Sequence, residues 1–257
     1  MNPFADQVGQ LARRSIVRTV RQPANVVAPL VFPMFLLAVN SGGLKAETHL
    51  PGFPTSSFVA FALAVPFIQG ALFSTMNAGT DLARDIQTGF LSRLSLTPMR
   101  RIAVLAGQLG GVVTMGFVQG LVYLSVGLIV GVHIAAGLPG IAVLLVFMVL
   151  VSLGFGALGA FAALRTGSGE AVQSLFPAFF VFLFISSMNI PRNLMEHAWF
   201  RDLATANPVS YLLEFVRSLI ITGWDGQALA LGLGIAACET VIALALASWA
   251  LKVRMAG

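Results

Sequence analysis

Charge is what this sequence has least of. Of 257 residues, 15 are lysine or arginine and 10 are aspartate or glutamate, and only Lys45 and Lys252 are lysines. Charged residues make up 10% of the chain and hydrophobic residues 57%, whereas soluble domains hold roughly 25% and 45–50%. That shortage excludes a water-soluble globular domain, and a mean hydropathy of +0.89 agrees. A single cysteine, Cys238, excludes an internal disulfide and a cysteine-based metal centre. The three histidines, His49, His133 and His197, are far apart and have no i,i+4 partner, which speaks against a histidine-held metal. Neither G-x-S-x-G nor H-E-x-x-H occurs, so no constellation for an intramembrane hydrolase is present. No basic start followed by a short apolar run and a small-residue cleavage site is found, and a cleaved signal peptide is not expected. A sequence pI near 10.3 raises nucleic acid as a partner. The arginines, however, sit at the ends of apolar runs, where membrane topology accounts for them.

What the chain has in place of charge is long apolar runs. Six of them, roughly 24–41, 57–79, 102–132, 138–164, 171–190 and 227–251, are to be set against the ~20 residues that cross ~30 Å of hydrocarbon. The third is too long for one perpendicular crossing, so its start is expected to project beyond the bilayer or the helix to tilt. Pro29, Pro33, Pro66 and Pro177 fall inside the runs and should kink their helices. Gly107/Gly111, Gly116/Gly120 and Gly127/Gly131 recur at small-xxx-small spacing, which points to tight packing within one subunit more than to dimerisation. The predicted fold class is all-α: a polytopic membrane protein with six transmembrane helices in one domain, 1–257.

Three polar stretches punctuate the runs. Residues 1–22 place Phe4, Val8, Leu11 and Ser15 on one helix side and Arg14, Arg18 and Arg21 on another, and Pro23 ends the pattern. An amphipathic interfacial helix with its arginines toward anionic headgroups is expected. Residues 80–101 separate two apolar blocks that contain no charged residue at all. Thr80 or Asp81 is a candidate helix cap, with Asp85 adding negative charge at the same start. Leu82, Ile86, Phe90 and Leu94 form a stripe, Gly89 interrupts it, and Thr97-Pro98 stops it. In residues 191–226, Asn207-Pro208 marks a helix start, and Val209, Leu212, Leu213, Val216 and Ile220 an apolar stripe. Two short helices re-entering the outer leaflet suit this pattern, with Tyr211, Glu214 and Arg217 on a wetter side. Eleven cations (Arg13, Arg14, Arg18, Arg21, Arg84, Arg93, Arg100, Arg101, Arg165, Lys252 and Arg254) gather at one set of ends. Lys45, Arg192, Arg201 and Arg217 lie at the other, so both termini and the 80–101 loop are expected to be cytoplasmic.

Gln87-Thr88-Gly89-Phe90-Leu91-Ser92-Arg93-Leu94, followed by Leu96-Thr97-Pro98-Met99-Arg100, resembles the cytoplasmic loop of ATP-binding-cassette type-2 permeases. That family often reads Glu-x-Gly-Thr-Leu-Glu-x-Leu-Leu-x-Thr-Pro there. Gln87 stands where an acidic residue is common and Phe90 where threonine is. Asn207-Pro208-Val209-Ser210-Tyr211 is similar to the family's second signature, and the layout matches over essentially the whole chain, most closely the daunorubicin-resistance type. The resemblance implies a permease subunit, not an enzyme, in a bacterial plasma (inner) membrane. A second permease, identical or a close paralogue, would complete the pathway, and two copies of an ATPase subunit would dock on the cytoplasmic coupling helix. The coupling residues would be Arg84, Asp85, Gln87, Gly89, Phe90, Leu91 and Arg93, with Phe90 and Leu91 inserting into a groove on the ATPase. No G-x-x-x-x-G-K-[ST] loop occurs in this chain, so no cofactor is expected on it, and ATP with magnesium would bind the partner.

The candidate pathway and intramembrane polar residues are Glu239, Phe176, Phe180, Tyr211 and Glu214. Glu239 is the only ionisable residue deep in a predicted span; it can serve a proton or cation, or hydrogen-bond a neighbouring helix while protonated. Phenylalanines at 32, 35, 176, 179, 180, 182 and 184 favour a hydrophobic, drug-like or lipid-like cargo. The aromatic residues expected of a polysaccharide or glycolipid path are scattered, with Trp199, Trp224, Trp249, Tyr123 and Tyr211 mostly near predicted membrane edges. An ion-coupled secondary transporter using Glu239, and an intramembrane scaffold or enzyme, are the readings from other classes.

Overall fold

The computed structural model describes residues 3–97 and 99–255. Among these residues all regular structure is helical: α1 (Pro3–Arg21), α2 (Pro23–Gly43), α3 (Phe58–Ala62), α4 (Ala64–Gln87), α5 (Phe90–Ser95), α6 (Arg101–Gln108), α7 (Gly110–Ile129), α8 (Gly137–Thr166), α9 (Gly169–Gln173), α10 (Leu175–Phe184), α11 (Ala198–Ala206), α12 (Pro208–Arg217) and α13 (Gly226–Arg254), with short 3-10 and π turns between some of them.

Prolines set several of these boundaries. Pro66 has no N–H to give the Ala62 carbonyl, and the helix is interrupted there, at Leu63, between α3 and α4. Pro177 does the same to Gln173, and the interruption falls at Ser174, between α9 and α10. α2 instead runs on through Pro29 and Pro33. The two carbonyls those prolines leave without a backbone donor, Asn25 and Pro29, are met by other helices. Asn77 Nδ2 donates to Asn25 O at 3.1 Å, and the Tyr123 hydroxyl donates to Pro29 O at 2.5 Å.

Five helical stretches are long and apolar enough to cross a membrane: Pro23–Gly43, Phe58–Gln87, Ile102–Ile129, Gly137–Thr166 and Gly226–Arg254. The third breaks at Leu109, and its first part, α6, packs on α1, so the excess length expected of that run becomes a separate short helix. The expected run 171–190 is helical only over Gly169–Phe184. Its 16 residues reach about 24 Å at ~1.5 Å each, short of ~30 Å of hydrocarbon.

The α3–α4 stretch is the central one, largely buried where α2 and α13 are mostly exposed. It crosses α8 so closely that a Cβ on Gly159 would lie 2.0 Å from the Thr75 carbonyl oxygen. Gly107 and Gly111 lie against Leu11, Ser15 and Thr19 of α1, Gly116 and Gly120 against α8, and Gly127 against Leu63. The first two glycine pairs of the third run and Gly127 are therefore used inside the subunit, whereas a Cβ on Gly131 would meet nothing within 4 Å. α13 packs along α8, and α12 fits between α13 and α4 with its apolar face buried. Asn207 caps α12, its Oδ1 accepting the Val209 amide at 3.0 Å, as the Asn207-Pro208 pair predicts. α11 is mostly exposed.

The ends of the bundle are distinct. Arg254 Nη1 donates to Leu164 O at 2.7 Å and Gln87 Nε2 to Gly167 O at 3.1 Å, tying together the last turns of α13, α8 and α4 beside α1 and α6. At the other end the Ala135 and Ala136 amides donate to the carbonyls of Ile220 and Leu219, each at 3.0 Å.

Candidate functional site

The 80–101 stretch does not begin a new helix. α4 continues through Thr80, Asp81 and Asp85 to Gln87, so no cap forms at Thr80 or Asp81 and Asp85 sits in the last two turns. The chain then breaks at Gly89, whose φ of 69° is the left-handed position that ends many helices. α5 follows, and Pro98, the expected stop, lies outside the described residues.

Asp85 organises this end. Its side chain is 3% exposed and its two oxygens accept four hydrogen bonds. Oδ2 takes Arg14 Nη1 at 2.8 Å and Gln108 Nε2 at 2.6 Å, while Oδ1 takes Arg14 Nη2 at 2.7 Å and Arg18 Nη1 at 2.9 Å. Every lone-pair position of the carboxylate is thus used, with Arg14 in the two-pronged geometry that suits a guanidinium. Arg18 Nε reaches Asp81 Oδ1 at 3.1 Å, so two arginines on α1 meet two aspartates on α4. Ser15 adds a further tie, its hydroxyl donating to Gln108 O at 2.8 Å. Arg14 and Arg18 were expected to face headgroups; they turn inward because two buried carboxylates need partners, and Arg13 and Arg21 remain exposed.

The same cluster covers the loop. The Arg14 guanidinium lies 3.8 Å from the centre of the Phe90 ring, and Leu91 is 4% exposed among Leu82, Leu105 and Leu164. Of the pair expected at an exposed tip, Leu91 is therefore packed into the chain's own core and Phe90 lies half-buried against it. Arg84, Gln87 and Arg93 are exposed, with Gln87 held to Gly167 and Arg93 donating to the Gly89 and Thr88 carbonyls at 3.4 Å. The apolar side chains that do project here are Leu96, 86% exposed, and Ile102, 68% exposed.

The pathway candidates fall in three separate places. Phe176 and Phe180 belong to a ladder along one side of α10 that includes Phe32, Phe73 and Phe184, with centroid spacings from 4.6 to 6.2 Å. Tyr211 and Glu214 lie near the other end of the bundle beside Arg192, which pairs with Glu214 and lies 4.7 Å from the Tyr211 ring centre. Beside them Arg217 is buried and donates to the carbonyls of Phe61, Ser187 and Met188 at 3.1, 2.6 and 2.6 Å, so its role is to hold α12 to its neighbours. Glu239 is in neither place; it lines an apolar pocket with Phe155, Phe179 and Phe182. Among the described residues no cluster of three metal-ligating side chains occurs.

A bundle whose described residues include five helices of membrane-crossing length and composition defines a polytopic membrane protein. The chain belongs to the ABC-2 type transporter family, whose model matches residues 6–221. It is 30% identical over 200 residues to a daunorubicin resistance ABC transporter permease protein from Streptomyces coeruleorubidus, covering 76% of this chain and 66% of that relative, just under two thirds. It is 25% identical over 224 residues to a probable doxorubicin resistance ABC transporter permease protein from Mycobacterium tuberculosis, covering 86% of this chain and 79% of the relative.

Proposed function

We propose that this chain is the membrane half of an ATP-driven exporter of hydrophobic or amphipathic molecules in a bacterial plasma membrane. Two such permeases, identical or closely related, would form the pathway, and two ATPase subunits would dock at the arginine-rich end on the cytoplasmic side. The finer topology has six crossings, with α10 as the short fifth, α11 and α12 re-entering from outside, and α1 lying in the inner interface.

The observation that carries this reading is the Asp85 cluster. A force applied to α5 by a partner would pass directly to α4, the central helix, because only Thr88 and Gly89 separate the two. It would reach α1 and α6 through Arg14, Arg18 and Gln108. Four elements so braced move as one body, which is what a coupling device requires. The burial of Leu91 suits the bracing, while the half-buried Phe90 with Arg84, Arg93 and Leu96 would form the face for the ATPase. The phenylalanine ladder supports an apolar or amphipathic cargo, since scattered tryptophans and tyrosines offer no stacking path for a sugar chain.

The test is Leu96→Asp in cells that co-express the ATPase, with membrane abundance, co-purification and export measured together. Unchanged abundance with lost ATPase association is expected, because Leu96 contributes little to the chain's own core. Association and export equal to wild type would defeat the docking face. Glu239 favours one other reading, an ion-coupled secondary transporter, and that reading requires export to persist when the ATPase is absent or its hydrolysis is blocked.

A further inference from the structure

The pocket that Glu239 lines has a chemistry of its own. It holds about 240 Å³ and lies where α4, α8, α10, α12 and α13 converge, walled by Ile68, Phe155, Phe179, Leu212 and Ile235 among other apolar side chains. A cavity of roughly 150 Å³ accommodates a benzene, so this one has room for an aromatic ring and a short chain. Glu239 is the only ionisable residue on its wall. One carboxyl oxygen, Oε1, is buried and has no hydrogen-bond partner. The neighbouring Thr240 hydroxyl does not reach it, being directed to the Ala236 and Leu150 carbonyls at 2.7 and 3.1 Å. Position 239 is midway along α13, so the carboxyl is far from bulk water at either end.

An entrance exists as well. Phe182, 54% exposed, and the exposed Pro208 stand at the rim, and of the ten residues of α10 only Leu183 is buried. Entry beside this sparsely buried helix would suit a molecule arriving from the membrane. A carboxyl in apolar surroundings attracts a positive charge strongly, since no water competes for it. An apolar wall with one carboxyl, which a bound cation would hold in its ionised form, matches a molecule with an apolar body and one cationic centre.

We propose that this pocket is a binding subsite for lipophilic cations, in which Glu239 supplies the counter-charge to a protonated amine and Phe155, Phe179 and Ile235 hold the apolar body. The inference rests on the permease reading and names the cargo class within it. Glu239 is then a specificity-determining residue, selecting cations over neutral molecules of the same shape.

The experiment uses the purified chain in nanodiscs of zwitterionic lipid and compares 4-phenylbutylammonium with 4-phenylbutan-1-ol, which differ in charge but scarcely in shape. Saturable binding of the ammonium is expected, weakened about tenfold or more by Glu239→Gln, as for loss of a charge-assisted hydrogen bond. Binding of the alcohol should be the same in both proteins. Ile235→Trp, which fills the pocket, should weaken both ligands. Equal ammonium binding by wild type and Glu239→Gln, or no saturable binding to a folded wild-type chain, would overturn the proposal. Export of a neutral cargo abolished by Glu239→Gln at normal abundance would also overturn it, in favour of a proton-carrying carboxyl. Binding to the chain alone needs no ATPase, so its failure is separable from failure of the ATP-driven reading, which ATPase association decides.

Discussion

Asp85 and Tyr123 each satisfy groups on other helices that their removal would leave without a partner. Asp85→Asn takes the negative charge from between Arg14 and Arg18, whose side chains are 37% and 15% exposed. Breaking a fully buried pair costs about 3–5 kcal/mol and an exposed one at most about 1, so a loss near 2 kcal/mol is expected for this half-buried cluster. Thermal melting of the purified protein would register it, and a melting point equal to wild type would remove the brace. Tyr123→Phe strands the Pro29 carbonyl, a loss of about 0.6 to 1.7 kcal/mol on the scale of membrane hydrogen bonds. Pro33→Ala restores a backbone donor to that carbonyl, so Tyr123→Phe should cost much less in that background. Equal costs in both backgrounds would show that the hydroxyl does not serve the proline gap. The ingredients of both contacts are visible in the sequence: Arg14/Arg18 and Asp81/Asp85 share a spacing of four, and each proline announces an orphan carbonyl. Their pairing is not, because 71 residues separate Arg14 from Asp85 and only the packing of α1 on α6 and α7 brings them together.

Among the elements, α4 shows why boundaries were harder to read than existence. A polar Thr80-Asp81 after an apolar block is the usual mark of a helix start, yet α4 runs two turns past it. It can do so because Arg18 and Arg14 satisfy Asp81 and Asp85, so neither carboxylate needs to end a span or cap a new one. Gly89 was legible because a left-handed residue is a local property, whereas the burial of Leu91 depends on α6 and α8 arriving from elsewhere. The α4–α8 crossing makes a sharp prediction. Gly159→Ala puts a methyl into the Thr75 carbonyl and must part the helices, at about 1–3 kcal/mol. Gly234→Ala on α13, where a Cβ meets nothing within 4 Å, should leave stability unchanged or slightly higher. Membrane abundance and melting of the two variants, measured side by side, check the contrast. Equal behaviour would mean that α4 and α8 are not in close contact.

For the whole molecule, the short helix pair α9–α10 decides the topology. Its 15 helical residues and the turn at Ser174 fall short of the membrane's hydrocarbon, and the chain from Ile185 to Ile190 that would complete the crossing runs in turns and bends. The cation distribution supports the proposed crossing: counted over six spans, Arg165 falls in the crowded set of connections and Arg192 in the sparse one, on either side of α9–α10. Cysteine labelling settles it, starting from Cys238→Ser to remove the one native thiol. Arg93→Cys and Glu170→Cys should react with a membrane-impermeant maleimide only after the cells are permeabilised. Glu196→Cys and Asp202→Cys, exposed at the other end, should react in intact cells. Positions 170 and 196 reacting from the same side would make α9–α10 a re-entrant hairpin and leave five crossings, with the C-terminus opposite the 80–101 loop. Reaction of position 93 from outside would be worse for the proposed function, since the Asp85 cluster and Leu96 would then face away from any cytoplasmic ATPase. Eleven of fifteen cations at one end make that inversion the less stable arrangement, because translocating arginine-rich connections is what the charge bias opposes.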